Sequence, residues 1–185
     1  MTAKTTPTFP QMQHFFRLVD EGKITAERFQ AFLENPNRFF EETGFPVTVD
    51  YDMPLDAMID AGKYDWKNDD ITVEHFPIEG TGTVECKLLL VHLDRSFTTA
   101  EVEEQLKAQG LEPAKIEHLL AFGAKYPEKQ LKFPIIALGS SWVDSDGDRY
   151  VPYLSRDGSK RRLRLGWDRP DRTWSDDCRF LAVSK

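Results

Sequence analysis

The chain has 185 residues, of which 40% are hydrophobic, 30% charged and 12% aromatic, a balance that excludes fibrous and wholly disordered chains and suits one medium domain with at most a short extension. Net charge is −7 and there are two cysteines. Cys86 and Cys178 are too far apart in sequence for a metal knuckle or a dense disulfide framework, and they read as reduced, buried thiols of a cytoplasmic protein.

Residues 1–9 are rich in Thr and Pro and read as a disordered tail. They lack the apolar core of a signal peptide, and no later run reaches the length of a membrane span. Met12, Phe15, Phe16 and Val19 recur at the spacing of an amphipathic helix that Gly22 stops. Thr25 then caps a second helix with Phe29, Phe32 and Leu33 as its apolar stripe and Asn35-Pro36 as its end. Residues 10–44 are therefore expected to form a helical hairpin extension. A DNA-reading pair of helices is disfavoured, because Glu27 and Glu34 on the second helix would face phosphate.

Residues 45–185 are expected to form a single α+β domain. Pro46–Asp52 alternates like a half-buried strand, and Leu55, Met58 and Ile59 predict a short helix closed by Gly62. The Asp65, Asp69 and Asp70 cluster around Trp66 reads as a solvated loop, since its spacing fits no calcium loop. Ile71–Phe76 and Thr83–Leu93 read as paired strands, the second central because Leu88 to Val91 are apolar on both faces. Phe97-Thr98 with Glu101 and Val102 carries capping-box and staple positions and predicts a helix over 99–109. A further helix from Pro113 and a buried strand over 133–138 complete a strand-helix-helix-strand unit, with a right-handed crossover if its strands are neighbours. From about residue 140 the pattern becomes short antiparallel strands, with hairpin turns at Asp146-Gly147 and Asp157-Gly158.

No catalytic constellation stands out among the four histidines, so an enzyme is expected only if its residues converge from distant positions in the chain. His14 adjoins an apolar stripe and His118 falls on an expected exposed helix face. His75 and His92, with Cys86, admit a metal site only in an arrangement that the spacing does not impose. Asp144, Asp146 and Asp148 lack the glycine and glutamate positions of a calcium loop and read as a hairpin turn. Gly139-Ser140-Ser141 offers backbone amides to an anion, but no helix follows it. Neither a metal nor a cofactor is called for.

The densest feature is Lys160–Trp167. Alternation puts Leu163, Leu165 and Trp167 on one face of a strand and Lys160, Arg162 and Arg164 on the other. Residues 144–185 hold ten Lys or Arg and eight Asp, a local +2 that leaves −9 for the rest. Arg149, Lys160, Arg162, Arg164 and Trp174 are the candidate binding residues. A protein partner or self-association is the favoured use of that face; nucleic acid, bound by phosphate contacts and base stacking, is the second reading. Interleaved aspartates can equally pair with these arginines as a solvated face.

The stretches His118–Trp142, Arg149–Leu154 (RYVPYL) and Arg179–Val183 (RFLAV), with Trp174, resemble a group of small uncharacterised bacterial proteins. That resemblance implies a bacterial, cytoplasmic setting and carries no activity or site residues. The Trp followed by RFLAV also looks like the closing strand of C-type-lectin-like and formylglycine-generating folds.

Overall fold

A computed structural model of the chain describes residues 9–34, 44–93 and 95–184. It divides into two compact units, Met1–Glu42 and Thr43–Lys185. In the first, helices α1 (Phe9–Asp20) and α2 (Ala26–Glu34) are joined through Gly22 at φ +66°, a left-handed conformation that glycine adopts without a Cβ clash. The rings of Phe15 and Phe29 meet at 5.5 Å. Met12, Phe16 and Val19, expected on the buried stripe, stay exposed together with Phe9; within this unit Phe15 and Leu18 are the half-buried apolar groups of α1. The expected N-terminal tail and the Asn35-Pro36 stop lie outside the described residues.

The second unit is an α+β fold. Its elements in chain order are β1 (Phe45–Asp50), α3 (Leu55–Gly62), β2 (Trp66–Lys67), β3 (Thr83–His92), β4 (Phe97–Thr98), α4 (Thr99–Ala108), β5 (Leu111–Pro113), α5 (Ile116–Lys125), β6 (Ile135–Ile136), β7 (Trp142–Val143), β8 (Arg149–Asp157), β9 (Lys160–Asp168), β10 (Thr173–Trp174) and β11 (Arg179–Ser184). The main sheet runs β1-β3-β11-β6-β8-β9-β2, with β5 beside β11 and β7 beside β8; β4 and β10 form a separate two-stranded pair.

Both faces of this sheet are covered, which is why its central strands are apolar on successive residues. Leu88, Ile135, Leu154, Leu163 and Leu181 face one core, closed by Leu55, Met58 and Ile59 of α3 and Ile116, Leu119, Leu120 and Phe122 of α5. Val91, Ile136, Val151, Phe180 and Ala182 face the other, closed by Val102 and Leu106 of α4. The capping box of α4 is present: the Thr98 hydroxyl accepts from the Glu101 amide, and the Glu101 carboxylate accepts from the Thr98 amide at 2.8 Å. Phe97 and Val102, the staple residues, are buried.

Several expectations are corrected. Ile71–Phe76 is not a strand: the segment turns back on itself, with the Phe76 amide donating to the Thr72 carbonyl at 2.8 Å, and Ile71 and Phe76 enter the core as loop anchors. The partners of β3 are instead β1 and β11, both antiparallel. The strands β3 and β6 are not neighbours, because β11 lies between them and runs parallel to β6. Phe180, Leu181 and Ala182 are buried on both faces, as suits a strand inside the sheet, and β11 takes that place. The C-terminal part is therefore mixed rather than purely antiparallel, as is the parallel β2–β9 edge. Cys86 is half-buried where burial was expected, and Cys178 is buried; both are free thiols.

The entry to α5 also differs. Pro113 ends β5, paired with Ala182 of β11, and the helix starts three residues later. Its first amides find partners at once: the Lys115 amide donates to His118 Nδ1 at 3.2 Å, and the Ile116 amide to Ser140 Oγ at 2.9 Å. The Ser140 hydroxyl thus caps a helix. His118, expected on an exposed face, is 8% exposed and its Nε2 lies 3.4 Å from the Tyr51 hydroxyl. An acceptor role at Nδ1 places the proton on Nε2, so the ring is neutral.

Burial, helped by the Lys115 charge, pushes the pKa of His118 down to about 4. The unfolded chain therefore binds a proton that the folded one refuses. Stability from this residue is complete above the ordinary value of 6.5 and is lost as pH falls toward 4. Glu117 works in the opposite sense, because burial raises its pKa and acidification neutralises it in place. A destabilisation of about 2 kcal/mol between pH 6.5 and 4, abolished in His118→Leu, is expected in urea titrations; an unchanged pH profile in the variant would refute the assignment.

Candidate binding face on the β8–β9 hairpin

The arms of β8 and β9 are joined by Gly158-Ser159, with Asp157 opposite Lys160 and Gly158 at φ +60°. This two-residue turn sets the register of nine cross-strand pairs. On one face of the hairpin stand Val151 with Gly166, Tyr153 with Arg164, and Ser155 with Arg162. On the opposite face Leu154 and Leu163 are fully buried. The expected alternation holds along Leu163 and Leu165, but Trp167 emerges from the core and is 36% exposed.

Arg161, which alternation assigns to the apolar face, is an internal tie. Its Nη1 donates to the Gly62 carbonyl at 2.5 Å and its Nη2 to the Gly123 carbonyl at 2.6 Å, while Nε reaches Gln130 Oε1 at 3.1 Å. Gly62 ends α3 and Gly123 lies in the last turn of α5. One cation thus satisfies carbonyls at the C-terminal ends of both helices. Tyr64 stacks 5.0 Å from the guanidinium, and burial raises the pKa of its phenol.

The opposite face carries the candidate site. β2 joins β9 in parallel with Trp66 opposite Arg162, which puts the indole beside the arginine row. The guanidinium carbons of Arg162 and Arg164 lie 5.7 and 5.9 Å from the Trp66 ring. Arg162 donates to Asp157 at 2.5 Å. Among the described residues Arg164 has no carboxylate partner, and the Nε atoms of Arg162 and Arg164 and the Ser155 hydroxyl are buried without a hydrogen bond. Ser155 is only 8% exposed. Three unsatisfied polar atoms in one cluster are unusual, since each carries a desolvation cost of roughly 1–3 kcal/mol.

The five candidate residues fall into two groups. Lys160, Arg162 and Arg164 line this face. Arg149 and Trp174 belong to a network at its far end, in which Trp174 Nε1 donates to the Thr99 hydroxyl at 2.9 Å, that hydroxyl donates to buried Asp168, and Arg149 donates to Asp168 at 2.8 Å. Arg149 is neutralised and the indole N–H is occupied. Trp174 packs against Gly166, where an added Cβ would come within 2.9 Å of the ring. Trp66 and Ser155 were not singled out as site residues. No local pattern marks a two-residue strand that pairs with another almost a hundred residues away.

The histidines are placed apart. His75 stacks on Trp142 at 4.1 Å, and His92 hydrogen-bonds the Asp176 carbonyl at 2.9 Å. No group of His, Cys, Asp and Glu able to hold a metal ion occurs among the described residues. Asp144 closes the DSDGD turn by accepting from the Asp146 and Asp148 amides. Asp65 of the polar loop accepts from the Arg161 amide at 2.7 Å. No described helix is long and apolar enough to cross a membrane. Compared with protein-family models, with curated proteins and with solved structures, the chain gives no match.

Proposed function

We propose that this chain is a protein-binding protein of the bacterial cytoplasm, and that the face formed by Arg162, Arg164, Lys160 and Trp66 receives an acidic segment of its partner. The observation that carries this reading is Arg164, a half-buried cation beside Trp66 without a carboxylate among the described residues. The orphaned Ser155 hydroxyl and arginine Nε atoms lie beside it. Guanidinium donors arranged in a fork match a carboxylate, and Trp, Tyr and Arg are the residues that dominate protein interfaces. A nucleic acid would call for a longer track of cations. Here Asp157 already offsets Arg162, and the whole chain carries −7.

The test is affinity capture with the native chain from bacterial lysate, with and without nuclease, beside an Arg162→Glu/Arg164→Glu variant. The expected result is a nuclease-resistant protein partner retained by the native chain and weakened at least tenfold by the double charge reversal, with the melting temperature of the variant close to the parent's. Recovery that nuclease abolishes would replace this reading with nucleic-acid binding, and recovery indifferent to the charge reversal would remove the site.

A further inference from the structure

A second candidate site lies on the other side of the sheet, at the outer edge of β1. There β1, α3 and α5 enclose a cleft of about 430 Å³, within the size range of small-molecule sites. Its walls are mainly apolar, with Val49, Met53, Met58, Leu120 and Ala121; Thr48, Asp50 and Lys125 also line it, and Glu117 does so from the first turn of α5. The Glu117 side chain is 2% exposed. The nearest cationic candidate, His118 Nδ1, is 3.7 Å away and already accepts the Lys115 amide, so it offers no proton to the carboxyl. Lys115 is held by Glu79 at 2.6 Å. The acid's own amide is the hydrogen-bonding group that acts on it.

Strand β1 adds main-chain groups. The Tyr51 amide donates to the Gly82 carbonyl on the β3 side, and the Pro46 carbonyl faces the other way, accepting from the Tyr126 hydroxyl at 2.9 Å. By the two-residue period of a strand, the Thr48 amide and carbonyl also face outward, to the cleft that Thr48 lines. Among the described residues no strand pairs with that edge.

An acid this deeply buried, with Lys115 acting on it only from beyond ion-pair contact, is costly as a carboxylate until a positive charge joins it directly. We propose that the cleft binds a small organic ammonium ion with an apolar body, Glu117 serving as its counter-ion, the Thr48 carbonyl as a second acceptor, and the unbranched side chains of Met53 and Met58 fitting around the hydrocarbon. A carboxylic acid ligand is disfavoured by Glu117 itself, and a neutral alcohol would leave the charge uncompensated. The other titratable groups around Glu117 are Lys115 and His118 beside it, Tyr51 after β1, Cys86 on β3, Glu79, and Asp50 and Lys125 lining the cleft.

The assignment is tested on the full chain with n-hexylamine, n-hexanol and hexanoate as matched probes, followed by the NMR shifts of the Met53 and Met58 methyl groups. The amine is expected to bind at least tenfold more tightly than the alcohol, to tighten as pH rises from 5 to 8, and to lose its advantage in Glu117→Gln while hexanol affinity stays within twofold. Ala121→Phe, which fills the cleft, is expected to remove binding of every probe. Equal affinity for amine and alcohol, an unchanged amine affinity in Glu117→Gln, or binding that survives Ala121→Phe would each overturn it. Should Glu117→Gln not fold, the comparison of probes on the native chain and on Ala121→Phe still decides.

Discussion

Replacing Arg161 with alanine is expected to destabilise the fold by about 4 kcal/mol. The guanidinium makes three hydrogen bonds, to Gly62, Gly123 and Gln130. Two of these end on carbonyls at the C-terminal ends of α3 and α5, groups that have few intrahelical partners and lie against the sheet. Its loss leaves them facing a void beside Tyr64, whose hydroxyl is itself buried without a partner. For a chain of this size the melting temperature should fall by about 8–16 °C. Lysine supplies the charge but only a single compact ammonium, unable to span both helix ends, so Arg161→Lys should recover less than half of the loss. Thermal unfolding of the two variants is the measurement. A lysine variant as stable as the parent would mean that charge alone matters there, and an alanine variant within 1 kcal/mol would refute the tie.

Gly139→Ala is expected to cost about 3 kcal/mol, although the residue is exposed and its φ lies outside the left-handed region. A Cβ at this position would lie 2.5 Å from the Pro113 carbonyl oxygen and 2.8 Å from that of Ala114. Both neighbours are backbone, pinned by β5 against β11 and by the Gly139 amide bond to Ala114 at 2.9 Å, so neither can swing aside. Relief requires that the loop after β6 lift away, which also withdraws Ser140 from the first amide of α5. Equilibrium unfolding in urea should show the loss, and hydrogen exchange should show it concentrated at the Ile116 and Gly139 amides. A variant of parental stability would mean that the loop has room that the geometry denies it. At Gly123 an added Cβ would meet side chains, the Tyr64 hydroxyl and Leu154, rather than backbone.

Much of the local structure is legible before any tertiary contact is known. The capping box and staple of α4 depend on four residues within one turn and its approach, and they form as the pattern requires. The same is true of the Gly158 hairpin turn and of the alternation of Leu163 and Leu165, because a strand's period and a turn's dihedrals are set by neighbouring residues. The two-faced apolar run of β3 announced an interior strand, and β3 does lie between β1 and β11.

What the sequence determined, then, is the set of local elements and the α+β character of the chain, together with the segregation of arginine toward its C-terminal end. Tertiary structure alone decided which strands are neighbours, because Val91, Ile136 and Phe180 are equally suited to a buried face and chain order does not rank them. It also separated the arginines by role: Arg149 neutralised by Asp168, Arg161 drawn inward to two helix ends, and Arg162 and Arg164 left beside a tryptophan on the sequence-distant strand β2. His118 was expected on an exposed helix face, and no local pattern marked its neighbour Glu117; burial made the histidine a neutral helix cap and the glutamate a desolvated acid lining a cleft. Charge and periodicity are properties of a segment, whereas a partner, a cavity or a desolvated carboxyl exists only once segments from far apart have been packed together.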